Sequence, residues 1–167
     1  MKTLFAILLF AATSAFASDI TRDAVIAQMN EYRAQAGLTP LHEDSRLELA
    51  AEDRMRDMED LGYWAHQAPD GRSPFLWLAQ RSYAFSFAGE NLARGFETNE
   101  VLVSSWMESE GHRANIMSPF FQDCGIAIID GAVTGRATGK SVVVLFARPT
   151  LPSRPDPPRS ASAPSHR

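Results

Sequence analysis

Cysteine is nearly absent from this sequence, since Cys124 is the only one among 167 residues. A single cysteine cannot form an internal disulfide, so packing must stabilise the fold. We expect Cys124 to be buried as a small apolar side chain, where its thiol would be protected from oxidation. An intermolecular bridge or a reactive thiol is the alternative interpretation.

Positive charge is also scarce. The chain has 16 lysine and arginine residues against 20 aspartate and glutamate residues, which gives a net charge of −4. Three of the arginines, Arg154, Arg159 and Arg167, lie near the C-terminus, so the rest of the chain is more acidic still. A nucleic-acid-binding protein needs a basic face. The composition therefore argues against a nucleic-acid partner.

Long apolar runs are missing as well. The first residues combine Lys2, the apolar run Leu4 to Phe10 and the small-residue pattern Ala15-Phe16-Ala17. This run is too short to span a bilayer, and the three features together are typical of a secretory signal peptide. We predict a signal peptide over residues 1–17 and a secreted protein, periplasmic or extracellular, without stable membrane insertion.

The remaining chain is long enough for one domain with its own core, which we place at residues 18–148. From residue 149 to residue 167 the sequence is rich in proline, serine and arginine and offers almost nothing to bury. We predict that this segment is a disordered tail.

Apolar periodicity predicts four helices. They run over residues 22–36, from a cap at Asp44 or Ser45 to Leu61, from Ser73-Pro74 to about Ser82, and from a cap at Thr98 or Asn99 through Trp106. The second of these helices should bury Leu47, Ala51, Met55, Met58 and Leu61. Residues 83–88 read as irregular, and residues 89–93 as a short strand or tight loop.

Two apolar runs, Gly125–Ile129 and Ser141–Phe146, have the length and composition of strands. We predict that they pair antiparallel across a long hairpin loop. Because they are almost continuously apolar, the sheet should be covered by helices on both faces.

The densest polar stretch runs from Ser105 to Pro119. It places Glu108, Glu110, Gly111 and His112 directly after Trp106. We expect the helix to end at Gly111 and to deliver His112 onto the following loop, where an imidazole can act on a ligand. Equally, His112 and Arg113 can serve to satisfy the free carbonyls at a helix C-terminus.

Several motifs occur in an order that identifies a family. They are Asn30-Glu31-Tyr32-Arg33, Leu47 to Ala51, Trp64-Ala65-His66 with Pro69-Asp70-Gly71, Gly89-Glu90-Asn91-Leu92-Ala93, Ser105-Trp106-Met107, Gly111 to Met117 and Cys124-Gly125-Ile126-Ala127. With these residues, roughly from Ile20 to Phe146, the chain resembles the CAP superfamily of cysteine-rich secretory, antigen 5 and pathogenesis-related-1 proteins, in its compact bacterial form. Each motif alone is a weak signal, but together they are a strong one.

The resemblance implies an α+β fold, a three-layer α-β-α sandwich with a small, mostly antiparallel sheet. It also implies a cleft lined by two histidines and up to two glutamates. Carried over by motif, these are His66, Glu90 and His112. The family's second glutamate falls on Ser109, between Glu108 and Glu110, so we include Glu108 and Ser109 among the candidate binding residues.

Two imidazoles, His66 and His112, with a nearby carboxylate can hold a divalent metal such as zinc. A hydrogen-bonded His–Glu network without metal is the alternative. The residues are far apart in sequence, so the metal prediction rests on the resemblance and not on a local zinc motif.

We expect a binding module that takes an apolar small molecule or an extracellular protein partner through this cleft, as the resemblance suggests. Aromatic residues near His66 and Glu90 in sequence are candidates to line a groove, although most should be core: Trp64, Trp77, Tyr83, Phe85, Phe87 and Phe96. The alternative is a metal-dependent hydrolase or protease. In it, Glu90 or His112 is the candidate catalytic group, and Ser109 or Ser105 a conceivable nucleophile.

Overall fold

The fold is described by a computed structural model over residues 19–135 and 138–150. Its helices are α1 (Arg22–Gln35), α2 (Ser45–Leu61), α3 (Leu76–Gln80), α4 (Asn99–Glu108) and α5 (Glu110–Ile116). Its strands are β1 (His42–Glu43), β2 (Phe85–Phe96), β3 (Asp123–Asp130) and β4 (Lys140–Pro149). The predicted signal peptide and most of the predicted tail lie outside the described residues.

The four strands form one sheet in the order β1-β3-β4-β2. Strands β3 and β4 pair antiparallel, with Ile126 opposite Val144, and β2 pairs antiparallel with β4 on the other side. The two-residue strand β1 adds a parallel pair to β3. The predicted antiparallel hairpin and the mostly antiparallel sheet are therefore confirmed, and β2 forms one edge of the sheet.

The alternation of side chains along β4 feeds two cores, because successive residues of a strand point to opposite faces. Val142, Val144 and Phe146 pack with α1, α4 and α5, whereas Val143, Leu145 and Ala147 pack with α2 and α3. This confirms the three-layer α-β-α sandwich. Cys124 is fully buried, and burial raises the pKa of its thiol to about 12.

Helices α1 and α2 agree closely with the predicted segments. Thr21 and Asp44 are the N-caps, and α2 ends at Gly62 with a left-handed φ of 64°. The prediction that Leu61 is buried is wrong, because its side chain lies beyond the last packed turn and is 52% exposed. Two residues that apolar periodicity does not select, Arg33 and Arg54, are instead fully buried.

Arg33 is buried because it joins three segments through backbone carbonyls. Its guanidinium donates to the oxygens of Thr39, Ile116, Ser118 and Phe121 at 2.7–3.3 Å. These bonds fix the loop after α5 against α1, and burial lowers the pKa of Arg33.

Three further expectations are corrected. Helix α3 begins at Leu76, since Ser73 and Pro74 form a turn in which the Ser73 hydroxyl accepts from the Phe75 amide at 3.2 Å. Of residues 83–88, which are predicted to be irregular, Phe85 to Ala88 form the start of β2. Pro149, assigned to the tail, is the last residue of β4 and pairs with Phe85, which extends the folded domain beyond residue 148.

Candidate binding groove at the sheet edge

A groove follows the free edge of β2. One side of it is formed by α4 and α5, and the other by the loop after α2. Two chambers make up this edge groove and share Ser109 and His112. The polar chamber, about 520 Å³, is also lined by His66, Phe75, Gly89, Glu90, Gly111 and Asn115. The aromatic chamber, about 310 Å³, is also lined by Trp64, Leu92, Ala93, Arg94, Phe96, Ser105 and Trp106.

Glu90 is the buried carboxylate of the polar chamber, with a side chain only 2% exposed. Its two oxygens are both engaged. Oε1 lies 2.8 Å from Nδ1 of His66, and Oε2 accepts from Nε of Arg54 at 2.9 Å. A buried charge is stable only when it is paired and hydrogen-bonded. The position of Glu90 therefore depends on Arg54, a residue outside the motifs that identify the cleft.

Arg54 is the centre of the network beneath the chamber. From α2 its guanidinium reaches the hydroxyl of Tyr63 and the carbonyls of Ala65 and His66, the last at 3.0 Å. The Tyr63 hydroxyl in turn donates to Asp57 at 2.5 Å. Burial and the bond to Asp57 raise the pKa of Tyr63 to about 12. Arg54 thus holds both the backbone of the His66 loop and the carboxylate that orients the His66 ring.

His112 reaches the groove from a different element than expected. Helix α4 ends at Glu108, Ser109 adopts an extended conformation, and His112 belongs to the new helix α5, so Gly111 is not a helix end. The His112 carbonyl accepts from Nδ2 of Asn91 at 3.2 Å. The centre of the His112 ring lies 6.3 Å from that of the Trp106 ring. This helix break turns His112 toward the edge of β2.

The two imidazoles have pKa values shifted in opposite directions. The hydrogen bond to the Glu90 carboxylate raises the pKa of His66, whose side chain is 62% exposed. Burial, with a smaller contribution from the charge of His66, lowers the pKa of His112. At neutral pH, His66 is therefore the more basic of the pair and His112 a neutral donor or acceptor.

Two side chains close the outer edge of β2 along the groove. Nδ2 of Asn115 donates to the carbonyl of Glu90 at 3.1 Å, and Nε1 of Trp106 donates to the carbonyl of Leu92 at 3.4 Å. An exposed strand edge otherwise presents unpaired carbonyls that can bind another strand. At these positions the groove therefore offers side chains and not a backbone ladder.

The structure does not bring all candidate site residues together. His66, Glu90, Ser109 and His112 line the polar chamber. Glu108 and Glu110 are exposed and line a separate depression with Met107, Arg113, Ala114 and Met117. Neither glutamate therefore takes the place of the missing second glutamate, because Ser109 points into the groove and its neighbours point away.

The candidate metal ligands do not fit a zinc site. Among residues 19–135 and 138–150, no group of three or more His, Cys, Asp or Glu side chains is placed to hold a metal ion. Glu90 cannot readily complete a site with His66 and His112, since Arg54 and His66 occupy its oxygens. Zinc sites in proteins use three or four protein ligands.

The aromatic residues divide between core and groove. Trp77 and Tyr83 are buried in the core, and Phe85 packs edge-on against Phe75. Trp64 and Phe96 are partly buried and line the aromatic chamber. Phe87 is exposed and stacks on Phe120 at 5.2 Å, away from both chambers.

Comparison with known proteins places this fold in a family. The family model described as the Cysteine-rich secretory protein family, CAP, matches residues 26–146. The chain is 39% identical over 106 residues to YkwD of Bacillus subtilis (strain 168), covering 64% of this chain and 41% of YkwD. The chain thus spans less than half of that relative.

Solved structures of other bacterial proteins share this fold. An extracellular protein containing a SCP domain from Bacillus anthracis str. Ames superposes with a TM-score of 0.63 and 25% identity, over 75% of this chain and 39% of that one. An outer surface protein from Borrelia burgdorferi shares the fold with a TM-score of 0.67 and 19% identity, over 81% of this chain and all of that one. No helix within the described ranges is long and apolar enough to cross a membrane. The chain belongs to the CAP family of cysteine-rich secretory proteins.

Proposed function

We propose that this CAP domain is an exported binding module whose edge groove takes an apolar ligand or an apolar side chain of a protein partner. The observation that carries the proposal is that the polar and the aromatic chamber adjoin, since Ser109 and His112 line both of them. A mainly apolar pocket with a few convergent polar groups is the usual form of a ligand site. Here the aromatic chamber supplies apolar contact, and His66, His112 and Asn115 supply orientation.

A binding role agrees with the burial and the hydrogen bonds of Glu90. A general base must be free to accept a proton, but Glu90 is buried and both its oxygens already accept hydrogen bonds. Glu90 is better suited to hold the groove in shape than to react. We therefore assign Glu90 and Arg54 to the support of the groove, and Trp64, Phe96 and His112 to ligand contact.

Binding of the neutral dye Nile red, followed by fluorescence, tests this proposal. We expect the wild type to bind the dye, Trp64→Ala or Phe96→Ala to weaken it about tenfold, and EDTA to leave it unchanged. Leu61→Ala is the matched control, because Leu61 is an exposed apolar residue outside the groove. Equal affinity in Trp64→Ala and Leu61→Ala would contradict the proposal.

Export is part of the proposal and is supported by the apolar segment before residue 18 and by the extracellular and surface proteins that share the fold. Expression of the full chain in a bacterial host, followed by N-terminal sequencing of the periplasmic fraction and medium, tests it. We expect a new N-terminus near Ser18. Retention of residues 1–17 on a protein found only in the cytoplasm would contradict export.

One observation favours hydrolysis as the second candidate. The bond between Glu90 and Nδ1 of His66 leaves Nε2 of that ring as the reactive nitrogen, the arrangement of a carboxylate–histidine base. In this alternative His66, and not Glu90, removes the proton from water or from Ser109. Cleavage of a fluorogenic peptide library that is lost in His66→Asn but kept in His42→Asn would favour it. His42 lies in β1, at the opposite edge of the sheet.

A further inference from the structure

Among the described residues, the lining of the aromatic chamber carries one permanent charge, and that charge is positive. Arg94 is the only Arg or Lys among these lining residues, which include no Asp or Glu. This is unusual for a chain with a net charge of −4. A ligand that enters the chamber therefore meets a local positive field within an acidic molecule.

Arg94 differs from four arginines of the surface that are held in ion pairs. Arg22, Arg46, Arg72 and Arg81 each hold a carboxylate at 2.5–2.7 Å. Within the described part of the chain Arg94 has no ion pair, and its hydrogen bond is from Nη1 to the Thr134 hydroxyl at 3.1 Å. Because a guanidinium carries five N–H donors, most of those of Arg94 have no partner among the described residues and can bind a ligand.

The walls of the chamber are aromatic on both sides. Trp64 stands on the loop side, Trp106 on the α4 side, and Phe96 at the end of β2. Aromatic faces and edges pack best against another flat ring. The polar atoms around them come from Ser105, Ser109 and His112. The chamber thus combines a place for a ring with a place for an anion.

We propose that the aromatic chamber binds a ligand with a flat aromatic ring and a single carboxylate, and that Arg94 selects the carboxylate. The inference rests on the proposed binding function and names the ligand class for it. A planar guanidinium pairs with a carboxylate through two parallel hydrogen bonds and neutralises its one charge. A phosphate brings close to two charges at neutral pH, and the described lining of the chamber offers one permanent cation to meet them.

Calorimetric titration with four naphthalene probes tests the inference at neutral pH. The probes share one ring system and differ in the attached group: 2-naphthoate, 2-naphthylmethanol, 2-naphthylmethylamine and 2-naphthyl phosphate. We expect 2-naphthoate to bind about three- to tenfold more tightly than the alcohol, because its carboxylate pairs with Arg94. The difference should be no larger, because Arg94 is exposed and solvent partly screens its ion pair with the probe. The amine should bind most weakly, and the phosphate more weakly than the carboxylate.

Variants assign the effect to Arg94. Arg94→Gln should remove the preference for 2-naphthoate over the alcohol, because it weakens the binding of the carboxylate more than that of the alcohol. Arg148→Gln is the matched control, since Arg148 also lacks an ion pair within the described residues but lies opposite Phe87, outside both chambers. Trp64→Ala should weaken all four probes together.

The outcomes separate this inference from the proposed function. Equal binding of carboxylate and alcohol, unchanged by Arg94→Gln but weakened by Trp64→Ala, would overturn the ligand class and leave the groove as an apolar site. Tighter binding of the phosphate would overturn the carboxylate assignment. If no probe binds, the ligand class is again overturned, and Nile red binding then decides separately whether the groove binds apolar ligands.

Discussion

Arg54 illustrates what a single buried residue does for this groove. It lies on the core-facing side of α2, contacts Glu90 and the His66 loop, and packs under Trp77 at 5.3 Å from its ring centre. Apolar periodicity does not reveal this role, because arginine on an amphipathic helix usually faces solvent. The cleft histidines and Glu90 could be predicted from motifs, but the cation that makes a buried Glu90 tolerable could not.

We predict that Arg54→Met lowers the free energy of unfolding by about 3–5 kcal/mol at neutral pH, because it leaves the Glu90 carboxylate buried without its guanidinium. Urea denaturation measures the change. Arg56→Met is the control: its side chain is 64% exposed, and the expected change is within about 0.5 kcal/mol. The double variant Arg54→Met, Glu90→Gln should recover part of the loss. A loss in Arg54→Met no larger than in Arg56→Met would contradict this account.

The two histidines should make opposite contributions to pH dependence. The pKa of His66 is raised in the folded state, so its stabilisation is complete below the unfolded value of about 6.5 and is lost as pH rises through the folded pKa. The pKa of His112 is lowered, so its stabilisation is present above the unfolded value and is lost as pH falls through the folded pKa.

Denaturation of the wild type, His66→Asn and His112→Asn between pH 5 and pH 8 checks these signs. We expect the difference between wild type and His66→Asn to shrink toward pH 8, and the difference between wild type and His112→Asn to shrink toward pH 5. NMR titration should give His66 the higher pKa, and Glu90→Gln should lower it. If the loss of stability changed with pH in the same direction in both variants, the opposite pKa shifts assigned to His66 and His112 would be contradicted.

At the scale of elements, the local sequence does not show the break between α4 and α5. A glycine after an apolar helical stretch predicts a helix end at Gly111, but the chain turns at Ser109 and begins α5 at once, with Gly111 inside its first turn. Similarly, the sequence predicts only a short strand or tight loop over residues 89–93, because the aromatic start of β2 and Gly89 obscure the alternation. Its pairing with β4 over most of its length supplies the missing information. Tertiary pairing, and not local propensity, decides both elements.

The contact of α2 with β3 depends on the absence of a side chain at Gly125. A Cβ atom there would lie 2.1 Å from the carbonyl carbon of Leu47 and 2.2 Å from the amide nitrogen of Glu48. These are backbone atoms of α2, so a rotamer change cannot relieve the overlap. The helix must move away from the sheet, which would open the core around Leu47, Ala51 and Ala127.

We therefore predict that Gly125→Ala destabilises the domain by about 3 kcal/mol or more, the upper end of the cost of overpacking. Gly111→Ala is the matched control, because a Cβ there meets nothing within 4 Å, and alanine should stabilise α5 by about 0.5–1 kcal/mol. Thermal and urea denaturation measure both. Equal stability of the two variants would show that α2 can shift over β3 without loss of packing.

At the scale of the whole molecule, stability comes from two cores that share β4. Val144 belongs to one core and Val143 to the other, so unfolding of either face should disrupt the strand that supports both. The fold class and the two-sided covering of the sheet could be predicted from the family motifs and from the apolar runs of β3 and β4. The parallel strand β1 could not, because two residues carry no strand pattern.

Because the two cores stabilise the fold, we predict that the domain needs no metal. Calorimetric titration with zinc should give binding weaker than micromolar, and EDTA should leave the unfolding midpoint unchanged. The reason is the ligand set: Glu90 is held by Arg54, and His66 and His112 then remain as two protein ligands where zinc sites use three or four. His42→Ala controls for weak binding to an exposed histidine.

Micromolar or tighter binding that is lost in both His66→Ala and His112→Ala, but kept in His42→Ala, would mean that zinc draws Glu90 away from Arg54. The metal-dependent hydrolase would then become the stronger candidate for the groove.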